Sequence, residues 1–234
     1  HKTKPLWDPN PQFATMNLGR VSVFHWKDQN GRSWDAGLVL PPNFISGKRY
    51  PLVVQTHGFS ANEFMTDGPF TTAFAARALA AAGFIVLQMP SSYQADANYV
   101  TIRENAEQLR DYQIVIKNLS KMGLIDPQRV GIIGFSRTCY HVEGALIKDP
   151  KLFAAASITD GIDESYMQYM LFDTEKSSHE AYNYYVGPPF GKSFNTWTQN
   201  APSFHLDHVH TPLLVTAIQN DGGVLNEWEI YSTL

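Results

Sequence analysis

The stretch RVGIIGFSRT, residues 129–138, determines the fold that we expect for this chain of 234 residues. Residues 130–135 form a short apolar run, as in a strand buried in a parallel sheet, and helix-forming residues follow directly. A serine between such a strand and a helix fits a nucleophile elbow, a tight turn with the usual pattern Gly-x-Ser-x-Gly. Gly134 fits the first glycine, whereas Thr138 replaces the second. The stretch predicts Ser136 as a nucleophile; an ordinary strand-to-helix turn that contains a serine is the alternative.

Strand and helix patterns alternate on both sides of this stretch. The sequence predicts strands over residues 51–56, 84–89, 153–158 and 213–218, and helices over residues 71–82, 104–122, 139–147 and 226–234. Residues 19–26 and 34–40 flank an Asn-Gly turn and predict an antiparallel hairpin. We therefore expect an α/β fold, with a mostly parallel sheet between helices and the hairpin at one edge.

Composition excludes several classes of function. The chain has 18 Lys+Arg against 22 Asp+Glu, a net charge of −4 and no basic run, which argues against a nucleic-acid surface. No apolar run approaches the roughly 20 residues that a membrane span needs. With a single cysteine, no internal disulfide can form. We expect a soluble protein, cytoplasmic or periplasmic, whose compartment the sequence leaves open.

A second turn follows the predicted strand over residues 51–56 and reads His57-Gly58-Phe59. Folds of this class place their second oxyanion donor at the carboxyl end of an early parallel strand. The backbone N–H groups of Phe59 and Arg137 would then form the oxyanion hole. We expect the side chain of His57 to shape this loop beside the substrate, and not to transfer a proton.

The candidate acid is Asp221, which follows the predicted strand over residues 213–218. A carboxylate at this sheet edge orients a histidine base, although an aspartate before two glycines is also common in turns. Asp160, after the preceding strand, is the fallback acid. The chain order in this architecture is Ser, Asp, His, yet no histidine follows Asp221. We therefore expect the catalytic histidine, and a last strand and helix, beyond residue 234.

Two other features indicate weaker alternatives. His205, His208 and His210 have a spacing that could suit zinc, but they precede a strand and no Cys or Glu joins them. We therefore expect neither a metal site nor a cofactor. Cys139 falls inside the helix after the elbow, which favours a small buried residue over a nucleophile.

With Ser136, His57-Gly58 and Asp221 placed, the chain resembles the catalytic α/β-hydrolase domain of the prolyl oligopeptidase family of serine peptidases. The resemblance covers residues from about 18 to 234 and rests on ordered segments: GRSWDAGLVLPPNF, GKRYPLVVQTHG, IDPQRVGIIGFSRT, YVGPPF, TPLLV and NDGGV. It implies that Ser136 is the nucleophile and Asp221 the triad acid. It also implies an upstream β-propeller, with residues 1–18 as the linker and residues 19–234 as the catalytic domain.

The resemblance also implies an activity. Tyr166 and Tyr169 match the aromatic residues that hold the substrate side chain before the scissile bond, although an aromatic core at helical spacing is the alternative. Phe59-Ser60 and Thr138-Cys139 replace the family's usual residues, and bacterial lasso-peptide isopeptidases vary at the same places. We expect a serine peptidase that hydrolyses peptide or isopeptide bonds through an acyl-enzyme. A carboxylesterase and a non-catalytic binding module on the same fold are the alternatives.

Overall fold

One sheet of parallel and antiparallel strands organises the molecule. The computed structural model describes residues 6–56, 58–59, 76–90, 103–162, 164–172, 187–218 and 221–234. The strands within these ranges are β1 (Val21–Lys27), β2 (Ser33–Val39), β3 (Tyr50–Gln55), β4 (Ile85–Gln88), β5 (Ile125–Phe135), β6 (Ala155–Thr159) and β7 (Leu213–Thr216). Their order in the sheet is β1-β2-β4-β3-β5-β6-β7.

The strand directions confirm the predicted class of α/β-hydrolase fold. β1 pairs with β2, and β2 with β4, in antiparallel orientation, whereas the pairs from β4 through β3, β5 and β6 to β7 are all parallel. β5 begins earlier than predicted, because Ile125 pairs with Tyr50 before a register irregularity. β7 ends two residues earlier than predicted.

Helices cover both faces of this sheet. They are α1 (Ala76–Ala81), α2 (Glu104–Lys121), α3 (Arg137–Lys148), α4 (Tyr166–Phe172), α5 (Phe194–Asn200) and α6 (Asp221–Thr233), with short 3₁₀ helices at Pro11–Thr15, Gly191–Ser193, Pro202–Phe204 and Leu206–His208. Side chains alternate between the faces along each strand. Leu87 therefore joins the main core with residues of α2 and α3, whereas Val86 packs with Ala76 and Ala80 of α1.

The described part of the predicted linker is exposed. Residues 6–17 have no buried side chain, and the amide of Asn17 donates to Pro42 O at 3.0 Å. Among the described residues, no helix is long and apolar enough to cross a membrane.

The carboxyl ends of the parallel strands meet at one edge, where ligands bind in sheets of this class. Thr56, Ser136, Asp160 and residue 217 directly follow β3, β5, β6 and β7. The topology thus brings the two candidates Ser136 and Asp160 to the same edge as Thr56 and residue 217.

Candidate active site

Ser136 lies at the turn between β5 and α3, as the sequence predicted. It is the N-cap residue of α3, with φ of 51° and ψ of −128°, and it is half-buried. Its backbone N–H donates to Thr159 O of β6 at 3.0 Å, which holds the turn at the end of the sheet. A serine at this position stands at the N-terminus of a helix, where backbone donors and the helix dipole favour negative charge.

Gly134 is required because strand and helix approach closely at the elbow. A Cβ atom at this position would lie 2.9 Å from Val142 Cγ2 and 3.2 Å from Cys139 Cα. The turn therefore needs a small residue two positions before Ser136.

Thr138 occupies the position of the motif's second glycine, and its hydroxyl group forms hydrogen bonds within the elbow. Thr138 Oγ1 accepts from Phe135 N at 3.0 Å and donates to Phe135 O at 2.8 Å. It also lies 2.7 Å from the hydroxyl oxygen of Thr56, which in turn lies 3.0 Å from Ile133 O. The departure from the motif therefore adds a link between the end of β3 and the elbow.

Left-handed backbone conformations concentrate at this edge. Among the described residues, the non-glycine residues with positive φ are Ser136, Asp160 (46°) and Glu164 (57°). Such conformations cost of order 1–3 kcal/mol each and cluster at functional sites. All three positions follow the carboxyl ends of β5 and β6.

The two predicted oxyanion donors follow the ends of β3 and β5. Arg137 is the first residue of α3, a position whose N–H has no partner within its own helix. Phe59 is half-buried and follows Gly58, whose N–H donates to Met89 O at 3.2 Å. His57 lies outside the described residues. The oxyanion roles stay predictions.

The side chain of Arg137 is buried in an ion network that sequence reasoning missed. Its guanidinium binds both carboxylate oxygens of Glu104, with Nη2 to Oε2 at 2.6 Å and Nε to Oε1 at 3.3 Å. Nη1 donates to Glu164 Oε1 at 3.0 Å, and the guanidinium carbon lies 4.6 Å from the ring centroid of Tyr140. His141 Nε2 lies 2.5 Å from Glu104 Oε1. The network joins α2, α3 and the segment before α4.

The electrostatics of this network keep Glu104 ionised. Burial alone would raise the pKa of Glu104, but the hydrogen bond with His141 and the charge of Arg137 lower it to about 2. Burial lowers the pKa of His141, which favours a neutral imidazole, and burial raises the pKa of Glu164. The partners are 27 to 37 residues apart in the chain, so no local motif could reveal them.

Asp221 begins α6, whereas the sequence placed it in a loop. An acidic residue in the first turn of a helix is favoured by the helix dipole. Its side chain is not among those described, so its reach toward Ser136 stays a prediction. Asp160, the fallback acid, serves as a tie between strands: its N–H donates to Thr216 O at 3.0 Å and its Oδ1 accepts from Ile218 N at 2.6 Å.

The second turn of α6 is clamped to the segment after β6. Glu227 Oε1 accepts from Gly161 N, and Asn226 Nδ2 donates to Gly161 O at 3.1 Å. Burial raises the pKa of Glu227 to about 7, the Gly161 hydrogen bond opposes this rise and the charge of Asp160 adds to it. These two residues anchor the helix that begins at Asp221, and no local sequence pattern marks them.

No hydrogen bond joins Ser136 to a histidine in the described part of the chain. His141 belongs to the ion network, and His25 pairs with Asp35 at 2.6 Å on the exposed hairpin. The His205 and His208 rings lie 6.0 Å apart, and the described ranges hold no group of three or more His, Cys, Asp or Glu side chains that could bind a metal.

Cys139 lies within α3 and is fully buried, 3.5 Å from Thr159 O through its sulfur atom. Burial raises the pKa of the thiol. Since the thiolate is the reactive form, this side chain is poorly suited to act as a nucleophile.

The predicted pocket tyrosines belong to an aromatic cluster, which we define as Tyr166, Tyr169, Phe190, Phe194, Trp197 and Phe204. Tyr166 is half-buried, and its ring centroid lies 5.6 Å from Phe204 and 5.8 Å from Phe190. Tyr169 is 7% exposed and packs edge-on against Trp197. Tyr169 thus contributes to a small core, while Tyr166 retains an accessible face.

Comparisons with known proteins identify relatives. The sequence profile of the Prolyl oligopeptidase family matches residues 71–229. The lasso peptide isopeptidase AtxE2 of Asticcacaulis excentricus is 32% identical over 182 residues, which are 70% of this chain and 25% of that protein. Dipeptidyl-peptidase 5 of Porphyromonas gingivalis is 26% identical over 81% of this chain and 28% of its own length. The chain therefore spans about a quarter of the length of these two relatives.

Solved structures show the same fold. An AtxE2 isopeptidase variant with Astexin3-dC4 bound superimposes with a TM-score of 0.73 at 23% identity, over 98% of this chain and 36% of that one. An acylaminoacyl peptidase of Pyrococcus horikoshii gives a TM-score of 0.73 at 18% identity, over 98% of this chain and 37% of that one.

Proposed function

The chain belongs to the prolyl oligopeptidase family, and we propose that the complete protein is a serine peptidase whose nucleophile is Ser136. The observation that carries this proposal is the conformation of Ser136. A non-glycine residue with φ of 51° between a buried strand and a helix has an energetic cost that a merely structural turn does not require.

The proposed reaction begins with attack of Ser136 Oγ on the carbonyl carbon of an amide bond. The serine proton passes to a histidine base, and the carbonyl oxygen becomes an oxyanion that accepts from the N–H groups of Arg137 and Phe59. The base then protonates the leaving amine, and an acyl-enzyme remains on Ser136. Water hydrolyses this ester by the same steps and restores the free serine.

Asp221 is the proposed acid, which holds the histidine in the correct tautomer and stabilises its imidazolium form. Its place at the start of α6 supports this role, because α6 follows β7 at the edge that carries Ser136. We propose that the base is a histidine outside residues 1–234, since the base follows the acid in the chain order of this architecture and no histidine follows Asp221.

The proposed substrate is a peptide that contains a standard amide or an isopeptide bond. Both bonds pass through the same tetrahedral intermediate, so one elbow and one oxyanion hole serve either. The 32% identity to the lasso peptide isopeptidase supports the isopeptide bond as the finer choice. The half-buried ring of Tyr166 supports a pocket for an apolar side chain, and a β-propeller preceding the linker of residues 1–18 would admit the peptide.

The test is hydrolysis of a linear peptide and of an isopeptide-linked peptide by the complete protein and its variants. Ser136→Ala should lower kcat by about 10⁶, the typical loss when the nucleophile of a triad is removed. Asp221→Asn should lower kcat by about 10⁴. Ser232→Ala, which removes an exposed hydroxyl on α6, is the control and should leave kcat unchanged. Turnover of Ser136→Ala close to that of the unmodified protein would remove Ser136 from the mechanism.

A further inference from the structure

Glu164 is held by contacts with three different elements. Its N–H donates to Gln168 Oε1 of α4 at 2.6 Å, and its C=O accepts from Ser203 Oγ of the 3₁₀ helix Pro202–Phe204 at 3.1 Å. Its carboxylate accepts from Arg137 Nη1 of α3 at 3.0 Å. The residue is 5% exposed and has a φ of 57°, so these contacts keep the backbone in a costly conformation.

The elements that meet at Glu164 belong to two different parts of the proposed site. Arg137 follows Ser136 directly and is anchored to α2 by its two-point contact with Glu104. On the other side, α4 carries Tyr166, and the 3₁₀ helix carries Phe204 of the aromatic cluster. Glu164 therefore connects the nucleophile elbow with the aromatic cluster.

A buried ion pair of this kind is poorly explained by stability alone. Burying two charges costs about as much as their attraction returns, and apolar residues of similar volume often stabilise a fold as well. An ion pair does fix geometry, because the N–H groups of a guanidinium donate to a carboxylate only in defined directions. The Arg137–Glu164 contact is suited to fixing the position of one part of the site against the other.

We propose that Glu164 is a positioning residue that holds the aromatic cluster against the nucleophile elbow and thereby sets the affinity for the peptide side chain next to the scissile bond. This inference rests on the proposed function of Ser136. Glu164 touches neither the nucleophile nor the reacting carbonyl in this account. Its loss should therefore weaken binding of a peptide more than it weakens the reactivity of the serine.

The experiment compares two readouts in the complete protein. One is KM and kcat for a peptide with an aromatic or large apolar residue before the scissile bond. The other is the labelling rate of Ser136 by a small fluorophosphonate, which does not need the aromatic cluster. Glu164→Gln preserves the size of the side chain and removes its charge, and Glu164→Asp retains the charge.

Glu164→Gln should raise KM about tenfold, in line with loss of one charge-assisted hydrogen bond, and change the labelling rate less than about threefold. Because Glu164→Asp retains the charge, its KM should lie between that of Glu164→Gln and that of the unmodified protein. Ser203→Ala removes the hydrogen bond from Ser203 Oγ to the C=O of Glu164 and should also raise KM. The control is Asp126→Asn, which removes an exposed ion pair with Arg129 at 3.0 Å and should change neither readout.

Each result separates this inference from the proposed function. If Ser136 of the unmodified protein is not labelled, the proposed function fails. If labelling is normal and Glu164→Gln and Ser203→Ala leave KM within about twofold, the positioning role is wrong. Equal losses of labelling and peptide hydrolysis in Glu164→Gln would also overturn it, because they would indicate damage to the elbow itself.

Discussion

Replacement of Ser136 by glycine and by alanine measures the strain stored in the elbow. Alanine retains the Cβ atom and with it the cost of φ 51°, ψ −128°, which is about 1–3 kcal/mol. Glycine adopts this conformation without strain, but it loses more conformational entropy on folding, which lowers the stability by about 0.5–1 kcal/mol. The difference predicts that Ser136→Gly is more stable than Ser136→Ala by roughly 0.5–2 kcal/mol.

The assay is urea unfolding of both variants in the complete protein, with the free-energy difference taken from the shift in midpoint at constant slope. Ala106→Gly is the matched control, because Ala106 is an exposed position within α2 with ordinary helical geometry. There the change to glycine should cost about 1 kcal/mol. The sign of the alanine-to-glycine effect should therefore be opposite at the two positions.

If glycine at residue 136 destabilises the protein by the same amount as glycine at residue 106, the elbow carries no strain. That result would contradict a link between the conformation of Ser136 and catalysis. Both Ser136 variants should also lack peptidase activity, since neither has a nucleophilic oxygen.

Three further changes test other parts of the structure. Thr138→Val removes three hydrogen bonds at the elbow and should lower the free energy of unfolding by about 2–4 kcal/mol in urea titration; a loss below about 0.5 kcal/mol would contradict the role given to the hydroxyl. The pKa of Glu104 falls from 4.5 to about 2 on folding, so the contribution of Glu104 to stability is present above pH 4.5 and is lost toward pH 2. The stability deficit of Glu104→Gln should therefore shrink as the pH falls over that range. A deficit that stays constant would contradict the shift. The pKa of Glu227 rises from 4.5 to about 7 on folding, so the contribution of Glu227 to stability is present below pH 4.5 and is lost as pH rises through 7. The stability of Glu227→Gln relative to the unmodified protein should therefore increase over this range. A difference that does not change with pH would contradict the raised pKa.

The sequence predicted those features that are encoded by neighbouring residues. The buried run over residues 130–135, followed at once by Ser136, specifies both the strand and the turn, and the structure places both there. The alternation of strands and helices similarly predicts the parallel sheet, because each strand has its own apolar run. The carboxyl-edge position of Ser136 then follows from topology alone.

The sequence did not reveal features that depend on pairing across the chain. Glu104, Arg137 and Glu164 lie on separate elements, and a single charged residue on a helix has no periodicity that marks it as buried. Thr138 looked like a weaker match to the elbow motif. Its function in the fold becomes evident only with Thr56, 82 residues earlier, at bonding distance.

Helix starts were also less predictable than strand cores. The helix pattern over residues 226–234 is evident in the sequence, yet α6 begins at Asp221 with two glycines in its first turn. Glycine disfavours helix, so local propensity argues against this start, and the clamp of Asn226 and Glu227 on Gly161 offers a tertiary reason for it.

The most direct test of the account is the site of covalent modification by a fluorophosphonate. The complete protein is treated with the reagent, digested, and analysed by mass spectrometry, with Ser136→Ala and Ser232→Ala treated in parallel. We predict a single adduct on the peptide that contains Ser136, present in Ser232→Ala and absent from Ser136→Ala. An active peptidase modified at another residue, or an adduct that persists in Ser136→Ala, would contradict the claim that Ser136 is the nucleophile.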